Sequence, residues 1–255
     1  MLSIQSKRYI RLLLITCFTA GLFFSTPSYL KSQTAADTAL LSLQKKNAID
    51  LYYQSLQTQS GLYNGSEYVP YVTSLKEGHP YFDTTTMLNG SVFYDGMLYK
   101  NVPMLYDIIR DELIIQHYNK VFYLQLIKSK IDSFNLMSHA FVHMGRDSSR
   151  KDNLREGFYD LLHDGKTKLY VRRYKDIQES IPDFTVERRV YAHTRYFIYK
   201  NNVYREVYSQ ASVLDVLGDN KNLLNQELRK QHIKFKKQRE YAIKTMVQQY
   251  DALNP

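Results

Sequence analysis

The hydrophobic positions change their spacing twice along the chain. Over residues 37–58, Leu40, Leu41, Leu43, Ala48, Leu51, Tyr52 and Leu56 recur at roughly helical intervals without Gly or Pro, which predicts a helix that Gly61 ends. Asn64-Gly65, Pro70, Gly78 and Pro80 then mark an irregular stretch. From residue 87 the period is two. The run Ser91-Val-Phe-Tyr-Asp-Gly-Met-Leu-Tyr99 places Asp95-Gly96 between apolar segments, the signature of a type I′ hairpin, because both turn positions need positive φ. Asn89-Gly90 reads as an earlier turn. Strands are predicted over 104–109, 113–118, 121–131, 134–144, 158–162, 168–173, 191–199 and 203–208, with turns at Asn119-Lys120, Asp164-Gly165 and Asn201-Asn202 and a polar loop over 145–153. Strands joined by tight turns pair antiparallel. About nine of them curl rather than stay flat.

Beyond residue 208 the period is helical again. Ser212 with Asp215 suggests a capping box for a short helix ended by Gly218. Asp219 is placed to cap a second helix running to about Gln231, and a third is predicted over 237–252. The third carries Ala242, Ile243, Met246, Val247 and Tyr250 on one face, a stripe that must dock on the sheet or on a neighbouring helix. The fold class is thus α+β and mainly β: an antiparallel meander over 87–208, forming a curved sheet or open barrel, with an N-terminal helix over 37–58 and C-terminal helices over 212–252. Residues 37–255 carry no sharp linker and read as one domain.

Residues 1–36 stand apart. Lys7, Arg8 and Arg11 precede an apolar run over 12–24, and Ser25, Thr26, Pro27 and Ser32-Gln-Thr-Ala-Ala36 follow. This is the layout of a cleaved export signal, with cleavage after Gln33 or Ala36. The apolar run is shorter than the roughly 20 residues that a membrane span needs. Cys17, the single cysteine, follows Thr16 rather than a small lipobox residue, so lipidation is not expected. Removal of residues 1–36 would leave no cysteine, hence no disulfide, no thiolate nucleophile and no Cys-ligated metal. It would also reduce the net charge, because Lys7, Arg8, Arg11 and Lys31 go with it: from +9 for the whole chain to 30 basic against 25 acidic residues, or +5. The mildly basic balance that remains is weak evidence for an anionic partner.

Composition adds one feature, 23 Tyr with no Trp. Tyrosine suits strands and half-buried surfaces, where the ring packs and the hydroxyl stays wet.

The segments Leu62-Tyr-Asn-Gly-Ser-Glu-Tyr68, Gly78-His-Pro-Tyr-Phe82, Gly90-Ser-Val-Phe-Tyr-Asp-Gly96 and Tyr106-Asp107, together with Ile233-Lys-Phe-Lys-Lys237 and the closing Tyr250-Asp251, resemble those of a group of uncharacterised exported proteins of Bacteroidota. The likeness spans most of residues 37–255 and rests on strand and turn motifs. It implies a periplasmic or secreted location in a Gram-negative bacterium and transfers no active site.

Candidate chemistry is sparse. His139 and His143 would share a metal only on a helix. On the predicted strand they lie about 13 Å apart, too far for one ion. Asp107, Asp111 and Glu112 could form a paired-carboxylate site, or simply a buried Asp that needs partners followed by a polar turn. His79 sits in the Gly78-His79-Pro80 loop, where a scaffold could present it. No Gly-x-Ser-x-Gly elbow and no Gly-rich phosphate loop is present. Arg229, Lys230, Lys234, Lys236, Lys237, Arg239 and Lys244, opposed only by Glu227 and Glu240, form a basic tail suited to phosphate-bearing lipid or polysaccharide, or to a solvated helix face. No catalytic, cofactor or metal residue is assigned. The expectation is a non-enzymatic binding or scaffold protein of the cell envelope, with an envelope protein, lipid or polysaccharide as partner and nucleic acid disfavoured. The alternatives are a hydrolase with a carboxylate and histidine in the sheet's concavity, around Asp107 and His139, or a carrier of an apolar molecule.

Overall fold

A computed structural model describes residues 35–56, 61–71, 74–145 and 154–254. Residues 1–34 of the predicted export signal, Cys17 among them, lie outside the described residues, whereas Ala35 and Ala36 belong to a helix. The chain divides into two units, Met1–Leu56 and Gln57–Pro255. Of the first, helix α1 (Ala35–Leu56) is described, starting two residues before the predicted start; residues 57 and 58 lie outside the described part. No described helix is long and apolar enough to cross a membrane.

The second unit is built on one eleven-stranded antiparallel sheet. Its strands are β1 (Ser66–Glu67), β2 (Leu88–Tyr94), β3 (Met97–Asp107), β4 (Glu112–Gln116), β5 (Tyr123–Gln125), β6 (Ile131–Leu136), β7 (His139–Met144), β8 (Gly157–Asp164), β9 (Lys168–Ser180), β10 (Glu187–Lys200) and β11 (Val203–Val207). In space the order is β1-β5-β4-β3-β2-β6-β7-β8-β9-β10-β11. The meander therefore runs in two directions from β2: through β3, β4 and β5 on one side, then through β6 to β11 on the other. The sheet is curved and does not close edge to edge.

The Asp95-Gly96 and Asn201-Asn202 turns form as expected, with φ of 52° and 77° and of 51° and 61°. Several boundaries differ. Asn89-Gly90 is not a turn but lies inside β2, at a bulge opposite Asn101. The stretch 121–131 supplies the three residues of β5, a 3-10 turn at Lys128–Lys130 and, with Ile131, the first residue of β6. The single strand predicted over 134–144 is two, β6 and β7, joined at Met137-Ser138, where Met137 takes φ 56°. β9 and β10 are longer than predicted and remain paired out to Ser180 and Glu187.

Tracing partners across the sheet assigns the faces. Val92, Tyr106, Leu113, Phe134, Phe141, Phe158, Asp160 and Val171 share the inner one. The rings of Tyr106, Phe134 and Phe141 meet at centroid distances of 4.7–5.2 Å, and Phe158 closes the group at 5.1 Å from Phe134. A second inner core is largely aliphatic. There Leu169, Val171, Ile198 and Val207 pack on helices α2 (Gln210–Leu217), α3 (Lys221–Lys230) and α4 (Arg239–Leu253). The predicted α4 stripe of Ala242, Ile243, Met246, Val247 and Tyr250 is buried in this core. Each large side chain there is worth about 1.5–3 kcal/mol of burial. The caps shift by a few residues. Ser209, not Ser212, caps α2, with Ser212 completing the box, and Gly218 ends that helix at φ 79°. Asn220 rather than Asp219 precedes α3.

Curvature brings distant strands together. Four strands separate β3 from β9 in the order, yet the Lys175 N–H donates to the Ile108 carbonyl at 3.2 Å. A strap over residues 76–82 reinforces this approach. It pairs with β10 through Lys76 and Glu77, then with the end of β3 through Pro80 and Phe82. The strap crosses the β9–β10 ribbon at Gly78, whose φ is 87° and where an added Cβ would lie 2.9 Å from Val190 Cβ. Only glycine satisfies both conditions.

Candidate functional site

The three predicted carboxylates do not converge. Asp107 and Glu112 are register partners facing the outer side, beneath the strap, whereas Asp111 turns inward. Asp107 is fully buried. Its Oδ1 accepts from Tyr71 OH (3.2 Å), Ile109 N (2.9 Å) and Arg110 N (3.1 Å), and its Oδ2 from Tyr68 OH (3.1 Å). Burial chiefly pushes both phenols above the ordinary tyrosine range, followed by the Tyr81 hydrogen bond and then Asp107 for Tyr68, and by Asp107 for Tyr71. Glu112 is pushed up by burial, with Asp107 adding to the shift. Asp111 accepts from Tyr106 OH (2.6 Å) and Phe158 N (3.4 Å) and pairs with Lys128. Asp107 is thus held by four donors, three on Oδ1 and one on Oδ2.

His139 and His143 both face inward from β7, four residues apart on a strand, so one metal cannot join them. Among the described residues no group of three or more His, Asp or Glu is placed to hold an ion. Burial depresses the pKa of His143 and, with Lys175 nearby, that of His79. His139 behaves differently. Its Nδ1 lies 2.7 Å from Oδ2 of Asp160, and this hydrogen bond raises its pKa. Asp160 is fully buried and also accepts from Arg173 Nε and Nη2 at 3.0 and 2.8 Å. Arg173 continues to Glu240 on α4 at 2.9 Å. The network thus sits on the inner face between the aromatic and aliphatic cores, tying β7, β8 and β9 to α4. It bounds a cavity of about 320 Å³ lined by Phe82, Asp83, His139, Arg173, Lys175 and Glu240.

Around His139 stand Asp160 on β8, Arg173 on β9 and Asp83 beyond the strap. Its folded pKa lies above the ordinary value of about 6.5. The folded state therefore binds the proton more tightly than the unfolded one. That contribution to stability is complete below about pH 6.5 and is lost as pH rises through the folded value. His139→Gln should accordingly destabilise the protein more at about pH 5.5 than at about pH 8.5. Thermal melts at the two pH values check this, and an equal loss at both would refute it.

The most distinctive surface lies where the sheet splits. The β8–β9 ladder stops at Asp160–Val171. Below that point Gly157, Phe158 and Tyr159 pair with β7 alone, and Arg172 onward with β10 alone. The turn over residues 108–111 enters the opening. Gly157, at φ 151°, allows the close approach of Asp111, whose carboxylate occupies the space of a Cβ. Arg172 spans the split, donating from Nη1 to the Arg155 carbonyl (3.3 Å) and to Tyr159 OH (3.2 Å). Beside it opens a cleft of about 370 Å³ with Arg155, Arg172, Arg173, Lys175 and Arg195 on its walls and Asp111 as the single acid.

Charge pairing in this cleft is uneven. Arg195 is held bidentately by Glu206 at 2.7 and 3.0 Å, and Arg173 by Asp160 and Glu240. Lys175 donates to the His79 and Tyr81 carbonyls, and burial lowers its pKa. Among the described residues no carboxylate forms an ion pair with Arg155, Arg172 or Lys175. Arg172 and Arg195 are also direct cross-strand partners, a like-charge juxtaposition that destabilises a sheet. The basic tail lies elsewhere: Lys237, Arg239 and Lys244 rim a groove of about 700 Å³ floored by Ser138, His139 and Tyr196.

Sequence reasoning found His139 and the basic tail but not the split. The available signal was Arg172-Arg173 inside a strand. Adjacent residues point to opposite faces, so one of the two arginines had to meet the core. Comparison with protein families, curated proteins and solved structures gives no match.

Proposed function

We propose that the protein is an exported binding protein of the cell envelope, periplasmic or secreted, and that the cleft at the β8–β9 split takes an anionic group of its ligand. The observation that carries this reading is that Arg155 and Arg172 line one cleft without a carboxylate partner among the described residues, with Lys175, whose ammonium is held by the His79 and Tyr81 carbonyls, on its wall. Arg155 is exposed, but Arg172 and Lys175 are half-buried, and half-buried cations are retained at a cost unless something offsets their desolvation. A phosphate or carboxylate seated between Arg155 and Arg172 would do so, and would relieve the Arg172–Arg195 repulsion as well. Of these donors Arg172 is already anchored across the split. An apolar cargo is less well served, because the inner face of the sheet around β3, β6, β7 and β8 is filled by Tyr106, Phe134, Phe141 and Phe158 in mutual contact. The export pattern of residues 1–36 supports the location, and envelope lipids and polysaccharides are the ready sources of such anions.

Calorimetric titration with inorganic phosphate tests the reading. Arg172→Ala should weaken binding about tenfold or more, the scale of one charge-assisted hydrogen bond. Absence of binding by the parent protein, or an unaltered affinity in the variant, would overturn it. The His139–Asp160 pair favours a second reading, a hydrolase in the concavity with His139 as general base. It expects turnover of an envelope ester or glycan that His139→Gln abolishes; an Arg172-dependent binder without any such turnover would exclude it.

A further inference from the structure

We infer that the anion taken by the cleft is carried on a pyranose ring, so that the ligand is an acidic saccharide; this rests on the anion-site reading above. The observation is an aromatic platform set beside Arg172 and Arg155, which have no carboxylate partner among the described residues. Tyr174 lines the cleft and lies on the same face of β9 as Arg172, two residues and about 6.6 Å further along the strand. Its ring is stacked on the cross-strand His193, with centroids 5.0 Å apart and planes 20° from parallel. Asp176 fixes that imidazole in turn, at 3.0 Å from Nε2. The platform is therefore built before any ligand arrives, which lowers the ordering cost of binding.

The chemistry of such a platform is selective. The face of a tyrosine ring is electron-rich. One face of a pyranose presents only C–H bonds, which carry partial positive charge, while its hydroxyls project sideways towards polar groups. With His193 covering one side of Tyr174, at most one ring face is left for a ligand. That suits one saturated ring lying flat, and it offers no second aromatic wall to sandwich a nucleobase. An acidic substituent on the same sugar would then reach the Arg172 and Arg155 guanidinium groups.

Calorimetry with D-glucuronate, glucose 6-phosphate, acetate, inorganic phosphate, glucose and adenosine monophosphate tests the assignment. Glucuronate should bind at least about tenfold more tightly than acetate, and glucose 6-phosphate likewise relative to inorganic phosphate, with neutral glucose weakest. Tyr174→Leu should bring both ratios towards one, and Tyr174→Phe, which keeps the ring, should restore them. Tighter binding of a uronate oligomer than of the monomer would assign the ligand to a polysaccharide, and equal binding to a free sugar acid. Wild-type ratios near one would overturn the saccharide while leaving the anion site standing, as would adenosine monophosphate outcompeting glucose 6-phosphate. Failure of every anion to bind would remove the underlying reading together with this one.

Discussion

Asp160→Ala is expected to destabilise the sheet unit by about 3–5 kcal/mol, the cost of breaking a buried ion pair by deleting one partner. For a unit of this size that corresponds to a fall of roughly 6–20 °C in the thermal midpoint. The carboxylate is fully buried and accepts from both Arg173 and His139. Its removal strands a mostly buried guanidinium, which keeps only Glu240, a more exposed acid. Three strands and α4 lose their shared polar tie at the same time. Asp160→Asn retains an acceptor but not the charge, and should cost distinctly less than the alanine variant. A second readout separates this account from general loss of packing. The His139 titration, followed by NMR, should move down in either variant, because hydrogen bonding to Asp160 is the leading cause of its elevation. A melt for Asp160→Ala within about 2 °C of the parent would show that the network contributes nothing to stability.

What could be read in the chain, and what could not, follows from where the determining forces lie. Asp95-Gly96 and Asn201-Asn202 were legible because their backbone conformation restricts residue type. Met137 adopts the same left-handed region without a turn residue's advantage, so the β6–β7 hairpin left no local mark and was merged into one strand. The far half of β9 was missed for another reason. Lys175 to Ser180 carries almost no apolar alternation, and its extended form is held by the ladder with β10 rather than by burial. Helix α4 was legible because its apolar stripe is the very surface it buries. At the site the limit is sharper. His139 could be picked out alone, but Asp160, Arg173 and Glu240 reach it only through register and helix docking. The cleft arises where two strands diverge around the turn over residues 108–111, an event with no signature in any single segment. Asp107 was visible as an acid interrupting an apolar run, while its tyrosine partners, contributed from before the strap, were not.

That carboxylate gives the second large expected effect. Asp107→Ala removes the acceptor for two hydroxyls and two backbone N–H groups at once. Each buried donor left unpaired costs about 1–3 kcal/mol. Tyr71 is half-buried and Arg110 exposed, so water can satisfy some of the four. The total should therefore be about 3–4 kcal/mol rather than the full sum. Asn is the informative contrast, because its carbonyl can take the place of Oδ1, which accepts three of the four bonds, leaving only the Tyr68 hydroxyl to adjust. Asp107→Asn should thus lose less than half as much. The loss should also be localised. The Phe82 N–H to Tyr106 carbonyl bond and the Ile108 N–H to Pro80 carbonyl bond fasten the strap to β3 next to Asp107. In Asp107→Ala these two amides should exchange with solvent faster, and so should that of Lys175, whose acceptor is the Ile108 carbonyl. The amides of α4 should stay protected at the lower global stability, since that helix packs in a separate core. Because Lys175 also holds the strap through the His79 and Tyr81 carbonyls, a loosened strap would disturb one wall of the anion cleft. Phosphate affinity in Asp107→Ala should therefore fall as well, though by less than in Arg172→Ala. If strap exchange accelerates while phosphate affinity does not change, the strap does not position Lys175 for the ligand, and its role is confined to fastening β3 against the β9–β10 ribbon.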